Sequence, residues 1–152
     1  MKGDRIRYRS GYKYQLVNDY RVQLKFVRPE VNILTEFIEF DVTGYLFIKH
    51  GYAWDGPSNP IYRFLPDFIL KFLLKHFMRG SLVHDVLAQL CRDGYLSCDK
   101  CYTFMNKELE EICLEDGMTK ARASVVFFFV ENSGGAWAKL GSDGGKPLFE
   151  AP

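Results

Sequence analysis

Gly51-Tyr52-Ala53-Trp54-Asp55-Gly56-Pro57-Ser58-Asn59-Pro60 divides this chain in two. The stretch is dense in turn-forming residues and cannot continue a strand or open a regular helix. Upstream of it, apolar residues recur with period two; downstream, they recur with helical spacing. A strand-patterned half followed by a helix-patterned half is the signature of an α+β domain.

Upstream, Tyr12-Lys13-Tyr14-Gln15-Leu16 alternates apolar and polar residues, and the alternation resumes in Tyr20-Arg21-Val22-Gln23-Leu24-Lys25-Phe26. Asn18-Asp19 between them reads as a tight turn, so a hairpin with one buried face is predicted. A second hairpin is predicted from Ile38, Phe40 and Val42 to Leu46 and Ile48, turning at Thr43-Gly44. Together they make four short antiparallel strands within residues 10–50.

Downstream, Pro66 suits the first turn of a helix, and Phe68 to Arg79 contains no breaker. Lys71, Lys75 and Arg79 form one polar stripe on an otherwise apolar surface, the pattern of a buried helix more than of one lying on a membrane. Gly80-Ser81 is predicted to end that helix, with Ser81 capping a second from Leu82 to Cys91, whose Leu82, Val83, Val86, Leu87 and Leu90 share a face. Ser97 is expected to cap a third, running to about Leu114 and stopped by Asp116-Gly117. Thr119 opens a fourth through Val125 to Val130. The expectation is therefore N-terminal antiparallel β-hairpins packed on a C-terminal bundle of about four helices. Residues 1–132 form a single domain, and a glycine-rich flexible tail covers 133–152.

Composition sets the class. The 152 residues are 47% hydrophobic and 16% aromatic, enough to fill a core without disulfide staples. No apolar run reaches the roughly 18 residues of a membrane span, and MKGDRIRYRS lacks the apolar core of a signal peptide. Net charge is +1, which argues against binding dominated by nucleic-acid phosphates. Tyr8, Tyr12, Tyr14 and Tyr20 do alternate with basic residues, as in single-strand platforms, but an exposed hairpin generates the same pattern. Residues 1–30 hold eight Lys/Arg against three Asp/Glu, and residues 83–120 hold four against eight, so two complementary surfaces are expected. Cys91, Cys98, Cys101 and Cys113 include a C-x-x-C pair with no second pair at zinc spacing. They read as reduced thiols packed on helices in a reducing compartment.

Three polar groups stand where the pattern calls for something else. Asp55 lies in the dividing turn, next to Gly56-Pro57-Ser58; an Asp there often bonds nearby backbone amides. His84-Asp85 lies inside an apolar helix, where a satisfied core histidine is the plain alternative to a ligand. Asp99 falls in the first turn of a helix, where the dipole alone favours a carboxylate. If Asp55, His84, Asp85 and Asp99 converge, they supply an oxygen-plus-nitrogen set for a divalent cation such as Mn, Mg or Zn, or a metal-free acid–base pair. Ser58 lacks the G-x-S-x-G surroundings of a hydrolase nucleophile. No Walker loop, G-x-G-x-x-G or H-E-x-x-H occurs.

These residues carry a resemblance. The form G-x-x-x-D-G-x-S-x-P (Gly51, Asp55, Gly56, Ser58, Pro60) precedes an H-D pair (His84, Asp85). Asp99 then opens a helix, and Gly117, Met118, Arg122 and Ala123 close the region. The chain resembles a small family of uncharacterised proteins of tailed phages and prophages over residues 45–135. It departs from that pattern at Leu87 and Gln89, where a Tyr commonly follows H-D, and at Trp54, where a Thr often precedes D-G. The resemblance implies a phage-encoded protein acting in the host cytoplasm or in the virion. Three classes of function follow. The first is a virion- or tail-associated protein with a phage or host protein partner and a hydrolase-like polar site. The second is a metal-dependent hydrolase using the Asp/His cluster, and the third is an anti-host binding factor.

Overall fold

The computed structural model describes residues 8–9, 14–54, 56, 66–125 and 127–128. Seven strands come first: β1 (Tyr8–Arg9), β2 (Tyr14–Leu16), β3 (Tyr20–Gln23), β4 (Ile33–Leu34), β5 (Ile38–Phe40), β6 (Tyr45–Ile48) and β7 (Ala53–Trp54). Helices α1 (Asp67–Arg92) and α2 (Cys98–Glu115) follow, and a third helical run, α3, begins at Lys120. The fold is α+β. The strands form one sheet in the order β1-β2-β7 and a second in the order β3-β6-β5-β4, with every pairing antiparallel.

The second hairpin forms where the alternation places it: Phe40 pairs with Leu46 and Ile38 with Ile48 across a turn closed by Asp41. Asp41 Oδ1 accepts the Thr43 and Tyr45 amides, so the strand ends before Val42, which is exposed and not on the core face. The first hairpin does not form. β2 pairs with β7 and β3 with β6, and the register is the same on both sides of the break: Tyr14 faces Trp54 and Tyr20 faces Ile48. Residues 14–23 are thus one long strand against 45–54, interrupted at Asn18-Asp19, where the chain bends without reversing. Asp19 Oδ1 accepts the His50 amide at 2.9 Å, and Gly51 donates to the Leu16 carbonyl at 2.8 Å, which pins the bend to its partner strand. Along this ribbon Leu16, Tyr20, Leu46, Ile48, Tyr52 and Trp54 all point into the core.

That inward face meets α1 through Met78, Leu82, Val83, Val86, Leu87 and Leu90 in one apolar cluster. α1 is a single helix of 26 residues and runs straight through Gly80-Ser81, so three helical runs stand among the described residues and not four. The glycine serves packing: a Cβ at position 80 would lie 2.8 Å from Leu109 Cδ1 and 3.3 Å from the Leu109 carbonyl, so α2 crosses there. Ser81 caps nothing. Its hydroxyl donates back to the Met78 carbonyl at 2.9 Å inside the helix. Lys71 and Lys75 are exposed, but Arg79, third in the same stripe, is buried.

Both long helices end as the glycines at 94 and 117 dictate. Each glycine adopts positive φ, and the paired bonds Gly94→Cys91, Tyr95→Leu90 and Gly117→Leu114, Met118→Cys113 close the two C-termini. Ser97 occupies the N-cap position of α2 without a side-chain capping bond. No described helix is long and apolar enough to cross a membrane. The glycine-rich segment 133–152 and the end of the fourth expected helix lie outside the described residues.

Candidate functional site

The dividing stretch, expected not to continue a strand, does hold one: β7 extends the ladder against β2, and Tyr52 and Trp54 fasten it to α1 at two points. Tyr52 Oη donates to Gln89 Oε1 at 2.9 Å, and Trp54 Nε1 donates to Ser81 Oγ at 3.2 Å. Ser81, Asp85 and Gln89 are spaced four apart, so they share one stripe of α1, with Asp85 midway between the two anchors. Gly56, two residues past the second anchor strand position, is buried with φ +70. A Cβ there would come within 2.3 Å of the Tyr14 ring, which packs at 5.6 Å on Trp54. The glycine of the D-G pair is therefore required by both backbone and space. Asp55 and Ser58 themselves lie outside the described residues.

His84 stands next to Asp85 on the side of α1 that meets α2. Its Nε2 lies 2.9 Å from Oδ1 of Asn106, a side chain with no solvent exposure. An amide oxygen only accepts, so the ring carries its hydrogen on Nε2. Nδ1 lies 3.9 Å from Asp85 Oδ1, and the two side chains remain 20% and 32% exposed. His84 is thus held by a buried partner on one nitrogen while the other faces a carboxylate at the surface. The fixed tautomer leaves Nδ1 as the acceptor.

Asp99 does not join this group. It is exposed in the first turn of α2, seven residues before Asn106, or about 10 Å along the helix. Of the four expected residues, His84 and Asp85 are together, Asp99 is apart, and Asp55 is outside the described residues. Among the described residues, no three His, Cys, Asp or Glu side chains are placed to hold a metal ion. No step is derived through a cation.

The residue that sequence reasoning missed is Asn106. Met105, Leu109, Ile112 and Cys113 mark the buried face of α2, and Asn106 interrupts it; a polar residue on an apolar stripe was the available signal. Glu108 was missed in the same way. Its buried carboxylate accepts the Phe26 and Val27 amides, clamping the segment after β3 onto α2, and burial pushes its pKa up.

A separate charged cluster ties the same elements. Arg79, 5% exposed, donates from Nη2 to Glu115 at 2.7 Å and from Nε to Asp116, while Lys25 pairs with Glu111 and Glu115. Burial opposes ionisation of Glu115, but the bonds from Arg79 and Lys25 outweigh it and hold that carboxyl below its usual range. Burial dominates at Asp116, whose pKa is pushed up. Tyr20, buried beside Arg79, is pushed up to about 12 by its own desolvation. Of the basic residues in 1–30, Lys25 meets the acidic helical segment here. The charged groups are committed to one another, so the cluster is a structural lock. No protein family, curated protein or solved structure matches this chain.

Proposed function

We propose that this chain is a phage-encoded, virion- or tail-associated protein whose β7–α1–α2 junction carries a small hydrolytic site with His84 as the proton carrier. The observation that supports it is the His84 geometry: Nε2 tied to the unexposed Asn106, and Nδ1 open toward Asp85 at 3.9 Å. In the proposed role, His84 Nδ1 takes a proton from water as that water attacks, and returns it to the leaving group. Asp85 stabilises the imidazolium, and Asn106 keeps the ring in the productive tautomer. Asp55 is proposed as the further carboxylate, because the strand leading to it is bonded to Ser81, one turn from His84.

The phage setting rests on the resemblance of the D-G-x-S-x-P, H-D and G-M-x-x-x-R-A forms. Association with a protein partner is supported by Leu34, 71% exposed in strand β4, and Val31, 68% exposed two residues before it, at an edge of the sheet among the described residues.

The test is a hydrolysis panel of chromogenic carboxylic, phosphoric and glycosidic substrates, run on the wild type and on His84→Gln. Glutamine can still donate to Asn106 but cannot carry a proton. The reading expects a substrate whose rate drops at least about 100-fold in His84→Gln with an unchanged urea midpoint. Unchanged turnover in His84→Gln, or no turnover of any class, overturns it and leaves His84 as part of a buried polar network.

A further inference from the structure

The segment that leaves β3 lies lengthwise on α2. Lys25 pairs with Glu111 and Glu115, the Phe26 and Val27 amides donate to Glu108, and Glu30 stands 3.9 Å from Lys100. On α2 these partners fall on one stripe with Phe104 and are met in reverse order, so the two elements run antiparallel. Their lengths agree. Three extended residues from Val27 to Glu30 cover about 10 Å, and eight helical residues from Glu108 back to Lys100 cover about 12 Å. Phe104, midway between those helical positions, therefore lies beside Arg28-Pro29 in the seam. Val27 and Pro29 are buried, which turns Arg28 and Glu30 outward.

This seam leaves apolar surface uncovered. Phe26 is 41% exposed, Phe104 45% and Val31 68%, and the register sets them in a row. Scattered apolar side chains on a surface are ordinary, but a row of large ones edged by charge marks an interaction site. The charge along the row is not balanced. Lys25 and Lys100 have carboxylate partners, whereas Arg28 and Lys107 are exposed with no ion pair among the described residues. Both flank Phe104. Lys107 Nζ lies 5.7 Å from the centre of its ring, and the Arg28 stem rests on Gly44, where a Cβ would come within 3.2 Å of it.

We propose that the seam is a docking surface for a partner segment in which Phe or Leu side chains stand among Asp or Glu. The apolar side chains cover Phe26, Phe104 and Val31, and the carboxylates meet Arg28 and Lys107. Aromatic and Arg anchors carry much of the energy of protein contacts, and complementary charge selects the partner. A nucleic-acid strand is the poorer occupant. Glu30 and Glu111 lie along the same seam and oppose phosphates, and Val31 offers a base no ring to stack on. The surface is independent of the His84 reading, because Phe104 and Asn106, two residues apart, stand on opposite sides of α2.

The probe is a short synthetic peptide with Phe and Leu spaced among Glu and Ser; a second peptide carries Lys in place of every Glu. Each is titrated into the isotope-labelled full chain while the amide resonances are followed. The expected result is shifts confined to residues 25–31 and 100–107, with the Lys peptide inert. Lys107→Glu and Phe104→Ser change exposed positions and should each weaken binding about tenfold. Val125→Ser, equally exposed on α3, should leave it unchanged. No shift at millimolar peptide, shifts centred elsewhere, or equal binding of the Lys peptide overturns the proposal. Tighter binding of an oligothymidylate at the same amides also overturns it and makes the seam a nucleic-acid platform. Concentration-dependent shifts there without peptide overturn it in favour of a contact between copies of this chain.

Discussion

Gly56→Ala compared with Gly94→Ala separates backbone strain from packing at the turn that carries the D-G pair. Both glycines have positive φ, +70 and +81, and a side chain in that region costs about 1–2 kcal/mol. Alanine returns about 0.4–1 kcal/mol by restricting the unfolded chain. Nothing lies within 4 Å of a Cβ added at Gly94, so Gly94→Ala should lose about 1 kcal/mol net. At Gly56 the same carbon falls 2.3 and 2.6 Å from two atoms of the Tyr14 ring, which rests on Trp54. Either the ring or the turn must move, and overpacking of this kind adds about 1–3 kcal/mol. Gly56→Ala should therefore be less stable than Gly94→Ala by about 1–3 kcal/mol. Urea unfolding with a common m-value measures the difference directly. Equal midpoints for the two variants would refute the claim that Gly56 is wedged against Tyr14 and that this contact fixes the turn.

Arg79→Met should destabilise by about 3 kcal/mol, because it strands Glu115 and Asp116 at a partly buried site where Lys25 answers only one of them; a loss below about 1 kcal/mol in urea would contradict the lock. Glu108 has a folded-state pKa above its unfolded value, so its contribution to stability is fully present below the unfolded pKa and fades as pH rises through the folded one. The stability difference between wild type and Glu108→Gln, measured in urea from pH 4 to 7, should therefore fall with rising pH. A difference that is flat or rising would show the carboxylate is not desolvated as described.

The elements were legible because burial imposes a period on the residues, and partners were less so because pairing is decided elsewhere in the chain. Ile38, Phe40, Leu46 and Ile48 alternate around a true turn, and that hairpin follows from local pattern. Asn18-Asp19 has the same local chemistry, yet Asp19 spends its carboxylate on the His50 amide and the chain continues onward. Only the long-range match of residues 14–23 with 45–54 decides between these outcomes. Gly80-Ser81 misleads for a related reason: the glycine answers Leu109 on another helix, and a single sequence does not display that neighbour. At the candidate site, His84-Asp85 was visible as polar residues in an apolar helix. Asn106 was visible in principle, but its pairing with His84 depends on how α2 crosses α1. Asp99 lies on the same helix as Asn106, and two turns of rise keep it away.

The central claim is that Asn106 holds His84 with its acceptor nitrogen open to solvent and to Asp85. Long-range proton–nitrogen correlation spectra of the wild-type imidazole report which ring nitrogen carries the hydrogen. A single neutral tautomer protonated at Nε2 is expected. A ring protonated at Nδ1 would turn its free lone pair onto Asn106, leave no open acceptor, and contradict the account.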